Sequence, residues 1–143
     1  IVGDICDLSQ FEAGSVSEIY ASHVLEHFPH VKTESVLKEW HRVLETGGIL
    51  YVAVPDFKRA IEIYHKQGLQ NWVINFLYGD QGYSSAFHYA GFDFNRMSNI
   101  LRMVGFKEFC QVGDFPIGNE NDCSRNVSSI DGKSVSLNII AVK

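Results

Sequence analysis

A continuous apolar segment, Ile49 to Val54, lies between a Gly-Gly pair and a Pro-Asp pair. It shows no polar alternation and is rich in β-branched and aromatic residues, which is typical of a parallel-sheet strand buried on both faces by helices. Gly47 or Gly48 can adopt the left-handed backbone that ends a preceding helix. Pro55 cannot donate to the ladder and ends the strand. The segment predicts an α/β sheet whose carboxyl edge is available to a ligand.

The flanking segments predict alternating helices and strands. Residues 16–21 form a predicted strand, and Thr33 is a plausible N-cap of a helix that runs to about Leu44. This helix and its neighbouring strands make a βαβ crossover. The remaining predictions are a strand end over residues 1–5, a turn or loop over 24–30, helices over 57–66 (with Ala60, Ile61 and Tyr64 inward), 71–77 and 94–104, and strands over 106–112 and 134–142.

Composition predicts one globular domain in a reducing compartment. The chain has 143 residues, of which 45% are hydrophobic and 20% charged, as expected for a single core. A net charge of -5 and a pI near 5.6 give no basic field for nucleic acid. Three separated cysteines argue against a disulfide framework or a zinc knuckle, and no apolar run reaches membrane-spanning length. We expect a cytoplasmic protein without membrane or nucleic-acid partners. Because the chain begins with Ile1, we also expect a fragment of a longer protein.

Four segments appear in the order and spacing of a known family. They are Gly3-Asp4-Ile5-Cys6-Asp7-Leu8, the run from Ser17 to His27 (Ser-Glu-Ile-Tyr-Ala-Ser-His-Val-Leu-Glu-His), residues 37–56, and residues 92–106. Together they resemble the class I S-adenosylmethionine-dependent methyltransferases, in particular the small methyltransferase-11-like branch. The sequence departs from the family pattern at two places: Glu18 stands where the family often has Asp, and Glu45-Thr46 replaces Lys-Pro before the glycines.

The resemblance implies a Rossmann-like sheet that is mostly parallel, with an antiparallel last strand. The family's glycine-rich loop and the acidic residue that binds the ribose have no counterpart in this sequence. The resemblance therefore implies an N-terminally truncated domain, comprising the carboxyl-terminal two-thirds of the usual one. Residues 1–143 form a single domain in this interpretation, with residues 57–92 as a lid or substrate-facing insertion.

The resemblance also assigns a cofactor side and an acceptor side. The predicted cofactor-binding residues are Asp4, Ile5, Ser22, His23 and Val24. The predicted acceptor-binding residues are Pro55, Asp56 and His88, although Asp56 also fits a helix cap. His27 is the catalytic candidate, since imidazole exchanges a proton near neutral pH, but orientation alone can suffice for methyl transfer. The implied reaction is direct displacement of the sulfonium methyl by a small-molecule or sugar- or lipid-linked acceptor, and the sequence does not identify that acceptor.

Two other functions fit the sequence. His23-Val24-Leu25-Glu26-His27 matches the H-x-x-E-H pattern of zinc hydrolases, but that chemistry needs both histidines on one helix, and Pro29 interrupts any helix here. We expect no metal site. Alternatively, the chain is a non-enzymatic association module that lacks the cofactor half. Removing strands from a sheet exposes unpaired edges, which predicts a homodimer that covers them.

Overall fold

The computed structural model describes residues 3–118, 121–126 and 131–143. Within these ranges four strands form one sheet: β1 (Val16–Ser22), β2 (Leu44–Pro55), β3 (Glu108–Val112) and β4 (Ser136–Val142). Their spatial order is β1-β2-β4-β3, with β1 parallel to β2 and β4 antiparallel to both of its neighbours. Three strands thus run in one direction and the last runs against them, which confirms the predicted sheet.

The central strand β2 is buried on both faces, as its uninterrupted apolar sequence predicted. Leu50, Val52 and Val54 face one core cluster, which also contains Trp40, while Tyr51 and Ala53 face a second. Because successive side chains alternate across a strand, both faces need apolar residues. The strand therefore supplies core to two layers at once.

Four α-helices are present in the described residues: α1 (Thr33–Val43), α2 (Phe57–Gln67), α3 (Asn71–Tyr78) and α4 (Phe94–Val104). The predicted bounds of α4 are confirmed because its end signals act locally. The Asp93 carboxylate accepts a hydrogen bond from the Arg96 amide at 2.7 Å, and Gly105 ends the helix with φ of 117°.

Helix α1 holds the segment that precedes β1 in place. The Trp40 indole Nε1 donates to the Ile5 carbonyl at 2.9 Å. The Arg42 guanidinium donates to the carbonyls of Leu8 and Phe11, each at 3.0 Å, and also to Glu39. Helix α1 thereby fixes the loop that carries two predicted cofactor residues.

Two local predictions were wrong. Thr33 is the first residue of α1 rather than its cap, because the chain enters α1 directly from a 3-10 turn at residues 30–32. Gly47 and Gly48 lie inside β2, and the helix ends at Val43, where Leu44 already pairs with Val16 of β1. Residues 1 and 2 of the predicted strand end lie outside the described residues, and Gly3 and Asp4 already form a loop that leads into a turn at Ile5.

The face of α2 was also predicted wrongly. Ile61 and Tyr64 are 42% and 49% exposed, whereas Ala60 and Ile63 are buried. The residues of α2 that face the core each lie one position earlier in the chain than the predicted ones.

Among the described residues, no helix has the length and apolar character needed to span a membrane.

Candidate functional site

The carboxyl end of β1 turns sharply towards the rest of the site. His23 directly follows the strand, with φ of 51° in the left-handed region, and its amide donates to the Ala53 carbonyl at 2.9 Å. A 3-10 turn over Leu25–His27 follows, closed by a bond from the His27 amide to the Val24 carbonyl at 3.2 Å. This turn places Glu26 and His27 at the ligand edge of the sheet.

Glu26 is a fully buried carboxylate, with 0% of its surface exposed. Neither carboxylate oxygen has a hydrogen-bond partner among the described residues, although Oε1 lies 3.2 Å from His23 Nδ1 and 3.9 Å from His27 Nε2. Its backbone carbonyl accepts from the amides of Tyr89 and Ala90. Buried polar groups without partners are rare and costly, so this side chain marks the site.

His27 and His88 face each other although they are far apart in the sequence. Their ring centroids are 4.9 Å apart with an interplanar angle of 76°. His27 Nδ1 bonds to the Phe87 carbonyl and His88 Nδ1 to the Phe76 carbonyl, each at 3.0 Å. Since a carbonyl can only accept, both Nδ1 atoms carry protons, and the basic nitrogen of each neutral ring is Nε2. Burial lowers the pKa of His88, against an opposing effect of the Glu26 charge.

A cavity of about 490 Å³ opens beside these two histidines. Its walls come from the turn after β1, from α3 and the loop that follows it, and from Val135 at the start of β4. The side chains that characterise it are His27, His88, Trp72, Phe76, Asp80 and Tyr83. The cavity lies at the carboxyl edge, because Ser136, beside Val135, pairs with Pro55 at the end of β2.

The loop after α3 is held against the site by backbone contacts. The His88 amide donates to the Tyr78 carbonyl at 3.0 Å. Gly79 makes this approach possible: a Cβ there would lie 1.7 Å from the Ala86 carbonyl oxygen. The predicted acceptor residue His88 thus reaches His27 because a glycine lets two backbone segments touch.

The predicted cofactor residues are not brought together around this cavity, whose lining includes none of them. Asp4 is exposed, and one of its oxygens accepts from the Cys6 amide at 2.9 Å. The Ile5 carbonyl is held by Trp40. Val24 lies at the start of the 3-10 turn. Ile5 is therefore anchored on α1, and Asp4 bonds within its own loop, to the amides of Cys6 and Asp7.

Ser22 and His23 direct their side chains towards β4 and the turn before it. Ser22 Oγ donates to Asp122 at 2.6 Å. Burial raises the pKa of Asp122, but hydrogen bonds from Ser22, the Ser124 amide and hydroxyl, and Tyr20 outweigh it and lower that pKa to about 2. His23 Nε2 lies 2.8 Å from Ser136 Oγ. These contacts connect the end of β1 with the start of β4 and with the turn that precedes it.

Pro55 and Asp56 lie away from the histidine pair. Pro55 is the buried last residue of β2. Asp56 accepts from the amides of Lys58 and Arg59 and caps α2, which is the alternative role that the sequence offered. Burial raises the pKa of Asp56 despite these bonds. Neither residue lines the cavity beside His27.

Sequence reasoning did not select Glu26 or the aromatic wall of the cavity. Glu26 was visible inside the H-x-x-E-H pattern, but only tertiary packing reveals that it is buried and makes no side-chain hydrogen bond to the described residues. Trp72 and Tyr83 belong to an aromatic cluster that is more often core than ligand surface. In the structure Tyr83 is 65% exposed, whereas Trp72 is partly buried against the cluster of Ile63, Val73 and Val135.

Comparisons with known proteins agree with the fold described above. The model of the methyltransferase domain family matches residues 1–52. A search of curated protein sequences finds no match. Among solved structures, 94 chains match.

Three of these structures illustrate the similarity. An S-adenosylmethionine-dependent methyltransferase from Methanosarcina mazei superimposes with a TM-score of 0.63 at 22% identity, over 100% of this chain and 66% of that one. A methyltransferase from Thermotoga maritima, described as a possible histamine N-methyltransferase, gives 0.59 at 19% identity, over 99% and 62%. The 1,6-didemethyltoxoflavin-N1-methyltransferase of Burkholderia thailandensis, solved with S-adenosylhomocysteine, gives 0.58 at 12% identity, over 100% and 49%.

The chain spans between about half and two thirds of these three structures. The strand order of the described sheet and the family match over the first 52 residues both indicate the same fold. The resemblance stated from the sequence motifs is thereby confirmed, and the chain has the fold of the class I S-adenosylmethionine-dependent methyltransferases.

Proposed function

We propose that this chain is an S-adenosylmethionine-dependent methyltransferase, or part of one, that holds its acceptor in the cavity beside His27 and His88. The observation that carries the proposal is the meeting of these two histidines at the carboxyl edge of the sheet, on a cavity of about 490 Å³. Ligands of open α/β sheets bind at this edge. The family match and the fold support the reaction class.

The residues of this chain fit the cofactor only in part. When bound, S-adenosylmethionine supplies a methyl group on a sulfonium. Asp4 is exposed and held in one orientation by the Cys6 amide, so its carboxylate suits an amino-group donor such as adenine. Ser22 and His23 do not fit, because their polar atoms already bond to Asp122 and Ser136. We assign Asp4, Ile5 and the backbone at Val24 to the cofactor side.

His27 and His88 serve the acceptor. Each ring is fixed by its Nδ1 proton on a backbone carbonyl, which leaves Nε2 as the basic atom. His27 Nε2 is placed to orient an acceptor hydroxyl or amine and to take its proton. Aromatic Trp72 and Tyr83 with polar Asp80 form a mixed wall, which suits a small-molecule or sugar- or lipid-linked acceptor.

Calorimetric titration of S-adenosylhomocysteine tests the proposal, in this chain and in the longer protein if one exists. We expect Asp4→Ala to weaken binding about tenfold, while Asp114→Ala, another exposed aspartate, leaves it unchanged. Unaltered affinity in Asp4→Ala would remove Asp4 from the site. No binding by either form of the protein would overturn the methyltransferase proposal and favour the association module.

The association alternative has one supporting observation. In the described sheet, β1 pairs on one side only, with β2. An edge strand is a template for another chain, so a cytoplasmic homodimer joined through β1 is the expected assembly. Light scattering at micromolar concentration checks this, and a monomer would contradict it.

A further inference from the structure

Glu26, His27 and His88 form a cluster whose donor atoms face one another. One ligand atom from each of the three residues lies within 4.8 Å of the other two. Glu26 is buried, no described residue forms a hydrogen bond with either of its carboxylate oxygens, and the two histidines lie on the wall of the cavity. A negative charge in such a place needs a positive partner. The question is which cation that partner is.

The hydrogen bonds of the histidines prepare their Nε2 atoms as ligands. Both Nδ1 protons are committed to backbone carbonyls, of Phe87 and of Phe76. Histidines that bind metals usually donate their other N–H to a carbonyl or carboxylate in this way, which fixes the tautomer and the ring orientation. Within the described part of the chain neither Nε2 atom makes a hydrogen bond, and His27 Nε2 lies 3.9 Å from Glu26 Oε1.

His23 contacts Glu26 from the other side. Ser136 Oγ donates its proton to the Cys123 carbonyl at 2.9 Å, so His23 Nε2 donates to that hydroxyl at 2.8 Å. His23 Nδ1 lies 3.2 Å from Glu26 Oε1, whereas Oε2 has no hydrogen-bond partner among the described residues. Oε2 is therefore available as a ligand atom.

We propose that Glu26, His27 and His88 form a binding site for a divalent transition-metal ion of the zinc type. Two imidazoles and one carboxylate suit such ions better than magnesium or calcium, which prefer all-oxygen sites. Ligand atoms of a tetrahedral zinc site lie about 3.3 Å apart, given bond lengths near 2.0 Å. The ligand atoms of the cluster lie within 4.8 Å of one another, so binding an ion requires them to approach by up to about 1.5 Å.

The site differs from the zinc-hydrolase arrangement that the sequence suggested. His23 and His27 do not share a helix, since His23 lies in a left-handed turn before the 3-10 segment. Glu26 acts as a ligand, and His88 comes from the loop after α3. Three protein ligands leave a coordination position open, and the two histidines direct it towards the cavity. The proposal replaces the expectation of no metal and does not depend on the methyl-transfer reaction. The two roles of His27 Nε2 exclude each other, because the lone pair that binds an ion cannot at the same time take a proton from an acceptor.

Metal binding is measured on protein freed of metal with a chelator, after alkylation of its thiols so that cysteines cannot bind the ion. Zinc is titrated against a chromophoric chelator, and cobalt is followed by its visible absorption. We expect one ion per chain. Glu26→Gln and His88→Ala should each weaken zinc binding at least about tenfold, whereas His65→Ala, on the exposed face of α2, should not.

Thermal unfolding separates a metal site from a simple proton-bearing cluster. Glu26→Gln removes a buried charge and keeps the shape, so without metal it should unfold at a temperature no lower than the parent chain. Added zinc should raise the unfolding temperature of the parent and of His65→Ala only. Folded parent protein that binds no zinc, or equal zinc affinity in His88→Ala and His65→Ala, would overturn the proposal and leave an imidazolium as the partner of Glu26.

Discussion

Replacing Gly79 by alanine should release the loop that carries His88 from the site. Gly79 has φ of 79° and ψ of 166°, a backbone region that is essentially restricted to glycine. The added Cβ would lie 1.7 Å from the Ala86 carbonyl oxygen, whereas real Cβ atoms do not approach closer than 3.0 Å. The two backbone segments must therefore separate by at least about 1.3 Å, which is their difference.

Two costs add in this variant. Strain in the glycine-only region is worth about 1–3 kcal/mol. Separation also breaks the bond from the His88 amide to the Tyr78 carbonyl and loosens that from His88 Nδ1 to Phe76, each worth about 1 kcal/mol. The expected loss in the free energy of unfolding is about 3–5 kcal/mol in total.

Two other glycines make matched controls. Gly68 has nearly the same backbone, with φ of 71° and ψ of -169°, but nothing lies within 4 Å of its Cβ position. Gly68→Ala therefore measures the strain alone, about 1–3 kcal/mol. Gly82 has neither a positive φ nor a close contact, its nearest neighbour being Asp80 Oδ1 at 3.4 Å. Gly82→Ala should change stability by less than about 0.5 kcal/mol.

Urea unfolding followed by circular dichroism gives the three free energies, and hydrogen exchange of residues 79–92 reports local opening. If the loop undocks before the core unfolds, the loss appears as faster exchange at His88 and Tyr89. The reasoning fails if Gly79→Ala is no less stable than Gly68→Ala and its loop exchanges at the parent rate.

Three further changes test other contacts. The pKa of Asp122 is lowered from 3.8 to about 2, so the stability that its carboxylate adds to the fold is present above about pH 4 and is lost as pH falls through 2. In urea titrations, Asp122→Asn should therefore cost about 1–2 kcal/mol of unfolding free energy at pH 7 and nothing once the pH is below 2. Asn138→Ala leaves the carbonyls of Gly113 and Ser124 without their donor and should cost about 2–4 kcal/mol, measured as a lower urea midpoint with an unchanged m-value. Trp40→Phe removes the bond to the Ile5 carbonyl and should speed amide exchange in residues 4–8 about fivefold, for a loss of about 1 kcal/mol; unchanged exchange would show that the loop is held by other contacts.

Local signals in the sequence were sufficient for most of the sheet and for α4. The apolar run from Ile49 to Val54 specified a central strand, because burial on both faces leaves no position for a polar side chain. Asp93 and Gly105 defined the ends of α4 because caps act within one turn. Signals of longer range were less reliable. The amphipathic pattern of α2 allowed more than one buried face, and Ile61 and Tyr64 turned out to be exposed.

The sequence by itself determined the α/β class, through its periodicity, and the resemblance to methyltransferases, through the order of its motifs. That resemblance in turn implied the mostly parallel sheet with its antiparallel last strand. Only the tertiary structure decided which candidate residues meet. His27 and His88 came together, while Asp56 became a helix cap and Ser22 bonded to Asp122. Residues far apart in the chain become neighbours through packing and loop docking, as at Gly79, and the state of Glu26 depends on atoms contributed by several such segments.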